Sequence, residues 1–252
     1  MAKNQWIYIP TAAAPSSFTH VYSASLDGSD EDIDFGDVAD EDGSDAYSYS
    51  AWLKTSDADA CVFYKGAGDA NIALLLITGQ VWMWLASPSG KYITKYTNAS
   101  VMDGSWQHIC CTYDGSKDPN NMEIYVDGTR ITATTILNTG SFASSANNGD
   151  VLIGTQARTT RYYNGVIGDF CKIPWELNQT EVTELYNGGS ELDMTTFSGW
   201  ATMKADSRSM WITWEADDLT GGSGSVTDLT DNGYVGTPTN TEAEDKVADS
   251  PA

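Results

Sequence analysis

The side chains of this chain that could do chemistry are aromatic and acidic, and no nucleophile comes with a base. There are only two histidines, His20 and His108, and neither a Gly-x-Ser-x-Gly elbow nor a metalloprotease His-Glu motif occurs. His108 sits in an apolar run and reads as a packed, hydrogen-bonded strand residue rather than a base. The aromatics are better placed. Trp82 and Trp84 alternate along one run, and Tyr92 and Tyr96 share a parity in the next, so each pair points to one face of its strand. Aromatic faces stack on the apolar C–H faces of sugars, while amides and carboxylates take the hydroxyls. A connection of odd length between the two runs puts all four rings on one face, and an even one splits them. The competing reading makes one or both pairs part of a buried core. Tyr162, Tyr163 and Asn164, beside Arg158 and Arg161, form a second polar-aromatic group in a loop.

The acidic residues concentrate in turns. Ten of the nineteen residues from Asp27 to Asp45 are Asp or Glu, and Asp30, Asp32, Asp34 and Glu41 fall at calcium-loop offsets one, three, five and twelve. Phe35 stands where that loop needs glycine, and no helices flank it, so a solvated acidic loop around a short strand at Ile33–Phe35 is the favoured reading.

The elements that must hold these residues are strands. Trp106-Gln-His108-Ile-Cys-Cys111-Thr-Tyr113 is β-branched and aromatic, and Met122-Glu-Ile124-Tyr-Val126 alternates strictly. Asp127-Gly128 follows directly, the signature of a type I′ turn with positive φ at both central residues. Short runs at Tyr47–Lys54, Cys61–Lys65, Ile72–Thr78, Gln80–Ala86 and Lys91–Thr97, each closed by turn residues, predict a sandwich. One helix is predicted after Asn178, with Glu181 completing a capping box and Gly188 and Gly189 ending it. Cys61, Cys110, Cys111 and Cys171 lie inside apolar runs and are expected as reduced, buried thiols.

A net charge of −22, with thirteen scattered Lys and Arg, excludes a generic nucleic-acid binder. No stretch approaches the roughly 18 apolar residues of a membrane span, and the first residues lack the apolar region of a signal peptide. Residues 1–18 read as an arm, 19–190 as the folded domain and 191–252 as an extension. The extension carries Met194, Phe197, Trp200, Met203, Met210, Trp211 and Trp214, followed by Gly221-Gly-Ser-Gly-Ser225 and an acidic tail. That apolar load should be covered by the sandwich or by a neighbouring subunit. Docking of Trp200, Trp211 and Trp214 on a partner is favoured because a flexible segment follows. The final fifteen or so residues are polar enough to stay disordered.

The Trp-x-His strand, the Tyr113-Asp-Gly115 turn and the Tyr125-Val-Asp-Gly128 hairpin resemble the laminin-G-like, concanavalin A-like jelly rolls. Leu26-Asp-Gly28, Tyr47-Ser-Tyr-Ser-Ala-Trp52-Leu53, Tyr163-Asn-Gly165-Val-Ile-Gly-Asp169-Phe and the helix ending Leu185-Tyr186-Asn-Gly-Gly extend the resemblance over about residues 20 to 190. It implies an all-β fold, a two-sheet antiparallel jelly-roll sandwich with one short helix and a C-terminal extension. Some members hydrolyse β-glucans with carboxylates spaced Glu-x-Asp-x-Glu on one strand, and no such triplet occurs here, so no catalytic residue is nominated. Many members hold a calcium at the sandwich rim. Asp103 and Asp150, each in a turn before a core strand, are candidates together with Asp30 and Asp32, and no other cofactor is implied. The tail, Trp214-Glu-Ala-Asp-Asp218 and Asp228-Leu-Thr-Asp231-Asn-Gly233-Tyr-Val-Gly-Thr237-Pro-Thr-Asn240, resembles the ends of laminin-G-like proteins in phage structural clusters. The expectation is a non-enzymatic virion-surface module (decoration, fibre or adhesion) that binds glycans and associates with virion proteins or its own copies, with no nucleic acid or membrane insertion. A purely structural capsid or tail component, and a hydrolase with displaced carboxylates, are the alternatives.

Overall fold

The computed structural model describes residues 18–41, 44–140 and 142–251. The predicted arm therefore lies, except for Phe18, outside the described residues. Two antiparallel sheets face one another.

The first is ordered β10 (Thr129–Arg130), β9 (Met122–Val126), β8 (Trp106–Tyr113), β3 (Tyr47–Lys54), β13 (Asn164–Ile173), β1 (Ser23–Asp27) and β17 (Lys246–Val247). A further strand, β14 (Met210–Ile212), continues the edge of β13 beyond β1. The second sheet runs β11 (Thr134–Asn138), β7 (Tyr92–Thr97), β6 (Gln80–Ala86), β5 (Ala70–Ile77), β4 (Asp59–Ala67), β12 (Asp150–Ile153), β2 (Asp32–Gly36), β16 (Val235–Thr239) and β15 (Val226–Thr227).

The core between the sheets follows from the period-two pattern. Tyr47, Tyr49, Ala51 and Leu53 of β3 meet Phe63, Leu74, Leu76, Val81, Met83 and Leu85 of the facing strands. Asp127 at φ 49° and Gly128 at φ 70° form the expected two-residue turn between β9 and β10. Helix α1 (Gln179–Tyr186) has the expected capping box, Asn178 with Glu181. Asn187, rather than a glycine, takes the first left-handed position at its end. All four cysteines are buried free thiols.

The extension is part of the sandwich. It supplies β14 and β17 to one sheet and β15 and β16 to the other. Trp214 is fully buried in the central core, and its Nε1–H donates to the Gly168 carbonyl at 2.9 Å. Trp211 packs with Cys171, Val182, Leu185, Met194 and Phe197 over the outer face of the first sheet, and Trp200 meets it edge-on at 5.4 Å. Burial of such side chains is worth roughly 1.5–3 kcal/mol each. The expectation that Trp200, Trp211 and Trp214 dock on a partner is therefore corrected: the chain's own first sheet supplies the apolar surface they need. Residues 246–249 pack on the sandwich too, contrary to expectation. Lys246 and Val247 pair with β1, and Asp249 accepts hydrogen bonds from Trp106 Nε1 and Lys54 Nζ.

Candidate functional site

The C-terminal segments and α1 cover the outer face of the first sheet, whereas the outer face of the second carries the half-buried aromatics. Five residues join β6 to β7, so the connection is odd and Trp82, Trp84, Tyr92 and Tyr96 share that outer face. Trp82 lies directly opposite Tyr96, the rings parallel within 3° and 3.8 Å apart. Trp84 leans across the diagonal onto Tyr92 at 4.2 Å and 23°. Each ring thus spends one face on its partner, and the four form two stacked pairs rather than four separate platforms. Trp82 and Trp84 pack against a buried apolar cluster of Leu75, Ala73, Tyr64, Cys61 and Leu152 on the same sheet. The inward neighbours Val81, Met83, Leu85 and Ile93 anchor both strands in the core. Lys95 also points inward, where its Nζ donates to the Met122 carbonyl and pairs with Glu123.

The 158–164 loop departs from expectation. Tyr163 is fully buried in the core, its hydroxyl donating to the Val166 carbonyl, because alternation into β13 turns it inward. Tyr162 is half-buried and donates to the Arg158 carbonyl at 2.7 Å, and Asn164 is exposed. Arg158 reaches Asp32 at 3.2 Å and Asp34 at 2.5 Å on β2. Four inter-strand steps separate β2 from β6, about 19 Å at ordinary spacing, whereas Arg161 of the same loop reaches Asp59 of β4, two steps from β6.

The four acidic metal candidates do not gather. Asp32 is 1% exposed and engaged by Arg158; burial raises its pKa against that pairing. Asp103 is a turn residue whose Oδ1 accepts from the Ser105 N–H and hydroxyl, bonds that hold its pKa down. Asp30 is exposed in a bend, and Asp150 is the exposed first residue of β12, paired with Gly66.

Among the described residues, the one group of three potential ligands with donor atoms within 4.8 Å of one another is His20, Asp169 and Glu191. His20 Nδ1 is 3.2 Å from Asp169 Oδ1 and 3.6 Å from Glu191 Oε2. Sequence reasoning missed this group, whose members are far apart in the chain. A signal was present: Asp169 is a lone carboxylate in the otherwise apolar run from Val166 to Phe170. It stands at a β-bulge, where the β13–β3 register shifts between Ile167 and Phe170.

A laminin-G family profile described as the concanavalin A-like lectin/glucanases superfamily matches residues 27–183, more than half of the sequence. The chain belongs to this superfamily. This member resembles, in fold, a protein from Bacteroides ovatus described as carbohydrate binding, at a TM-score of 0.60 and 13% identity, over 93% of this chain and 62% of that one. It is also similar to the binding domain of botulinum neurotoxin serotype G, with a TM-score of 0.46, 15% identity and coverage of 66% of this chain and 50% of that one. Domains LG4–5 of the mouse laminin α1 chain align at 0.47 and 14%, over 60% of this chain and 41% of theirs. The chain thus spans less than two thirds of the length of each of these proteins. No curated protein matched the sequence significantly. No helix among the described residues is long and apolar enough to cross a membrane.

Proposed function

We propose that this chain is a non-enzymatic carbohydrate-recognition module that binds a glycan along the outer face of its second sheet. The observation that carries this reading is the arrangement of Trp82, Trp84, Tyr92 and Tyr96. Four half-buried aromatics stand on one face, preorganised by mutual stacking, while the other sheet's outer face is occupied by the protein itself. Stacked rings lose little side-chain entropy when a sugar arrives, because their rotamers are already fixed. Superfamily membership and the carbohydrate-binding description of the Bacteroides ovatus protein support the same reading.

The test is a glycan array probed with the full chain, followed by titration of a retained glycan into wild type and a Trp82→Ala/Trp84→Ala double variant. Loss of about 1.4 kcal/mol per removed stacking contact corresponds to roughly tenfold in affinity each. A retained glycan whose affinity ignores the double substitution, or an array with no retained glycan, overturns the reading.

The finer proposal places the module on the surface of a virus particle, among other virion proteins or copies of itself. Its support is the resemblance of the tail segments Trp214 to Asp218 and Asp228 to Asn240 to the ends of laminin-G-like proteins in phage structural clusters. Labelling of the source particle with an antibody to this chain tests it, and a particle that carries none overturns it.

A further inference from the structure

We propose that His20, Asp169 and Glu191 form a binding site for a zinc-class divalent cation, with one donor atom from each residue. The case rests on how the two carboxylates are held. Trp211 Nε1–H donates to Asp169 Oδ2 at 3.1 Å, which fixes that oxygen and turns Oδ1 toward His20. The Asp169 backbone N–H donates to Glu191 Oε1 at 2.8 Å, which fixes that oxygen and turns Oε2 toward the same imidazole nitrogen. Outer hydrogen bonds that hold one oxygen of each ligating carboxylate are the arrangement by which proteins orient metal ligands.

A second, independent observation is the state of the free oxygen. The Glu191 side chain is 1% exposed, and Oε2 has no hydrogen-bond partner among the described residues. A buried carboxylate oxygen without a donor is costly, and a bound cation satisfies it. The His20 Nδ1 contacts, 3.2 and 3.6 Å, bracket the separation of roughly 3.3 Å between donors held at about 2.0–2.1 Å from a tetrahedral ion. Imidazole nitrogen with carboxylate oxygens suits zinc, cobalt and their neighbours rather than calcium, which takes oxygen ligands. The backbone is shaped for the group. A Cβ on Gly168 would fall 2.3 Å from Glu191 Oε1, so glycine at the bulge is what admits the glutamate. With three protein donors, the fourth tetrahedral position is left for water.

The three ligands come from the segment before β1, from β13 and from the segment after α1, so an ion here would tie the extension to the sheet. The experiment uses the full chain, stripped with chelator and titrated with cobalt(II), then with zinc in competition. The expected result is one equivalent of cobalt with the visible absorption of a tetrahedral site, displaced by zinc. His20→Gln and Glu191→Gln should each weaken binding at least about tenfold, while Asp103→Asn leaves it unchanged. His20 precedes β1 and takes no part in its pairing, so His20→Gln keeps the sheet and decides the matter even where Glu191→Gln fails to fold. The proposal is overturned by the absence of a tetrahedral cobalt spectrum, or by equal affinity in wild type and His20→Gln.

Discussion

His108 and Asp127 exchange two hydrogen bonds: the His108 N–H donates to Asp127 Oδ1 at 2.9 Å, and the Asp127 N–H donates to the His108 carbonyl at 2.8 Å. The turn residue is thereby fastened to β8, the neighbour of the strand it leaves, and the next residue, Gly128, is held at φ 70° against the Tyr186 ring. Helix α1 depends on the same place, since Tyr186 stacks on Trp52 at 5.9 Å.

Gly128→Val should therefore destabilise the protein by about 2–3 kcal/mol, because a β-branched residue is forced to positive φ while its Cβ falls 3.0 Å from Tyr186. Urea denaturation measures it. Gly128→Asn, which tolerates the backbone conformation, should cost less; equal losses would assign the whole effect to the Tyr186 contact.

All four thiols should react only after unfolding. Burial pushes the Cys61, Cys110, Cys111 and Cys171 thiols up, so little thiolate exists near neutral pH. Alkylation followed by mass spectrometry is expected to show none modified in the native protein and four under denaturing, non-reducing conditions. Two or fewer in the denatured sample would mean a disulfide.

A fragment ending at Gly189 should aggregate. It loses β14 and β17 from one sheet and β15 and β16 from the other, and it uncovers Cys171, Ile173 and Leu185. In the full chain, Trp211 and Trp214 should resist quenching by acrylamide, while Trp82 and Trp84 respond. A folded, monomeric fragment in sedimentation would show that the extension is dispensable.

Stability should carry an acid-favouring contribution from Asp217. Burial, opposed by the Thr227 N–H and the charge of Lys246, raises its pKa from 3.8 to about 6. The folded state then holds the proton more tightly than the unfolded one, so the contribution is full below pH 3.8 and falls away as pH rises to about 6. Asp217→Asn should flatten that part of the melting-temperature profile and raise the melting temperature at pH 7. A profile identical to wild type would remove Asp217 from the account.

Much of the fold was legible in the chain because the decisive signals are local. The limits of β3 and β6 follow from alternation alone, and the Asn178 capping box and the Asp127-Gly128 turn each lie within four residues. The tail was not legible, since β14, β15 and β17 are two or three residues long and exist only because distant strands offer an edge. The same holds for the sites. The parity of the Trp82 and Tyr96 runs could be read, but their common face needed the length of the connection, and Tyr163 turned inward where a loop was expected. His20 and Asp169 are 149 positions apart, and only the placement of β1 against β13 brings them together.

The pairing of Ser23 with Val247, and of Ala24 with Lys246, has a mechanical meaning. Because the two strands are antiparallel and these residues face each other, the chain on either side leaves from the same end of the pair. A load pulling those two directions apart opens the ladder one bond at a time, like a zip, instead of shearing many bonds at once. Such a load would peel β17 away at low force, and the stacked aromatic pairs on the opposite sheet would keep their geometry while it did so.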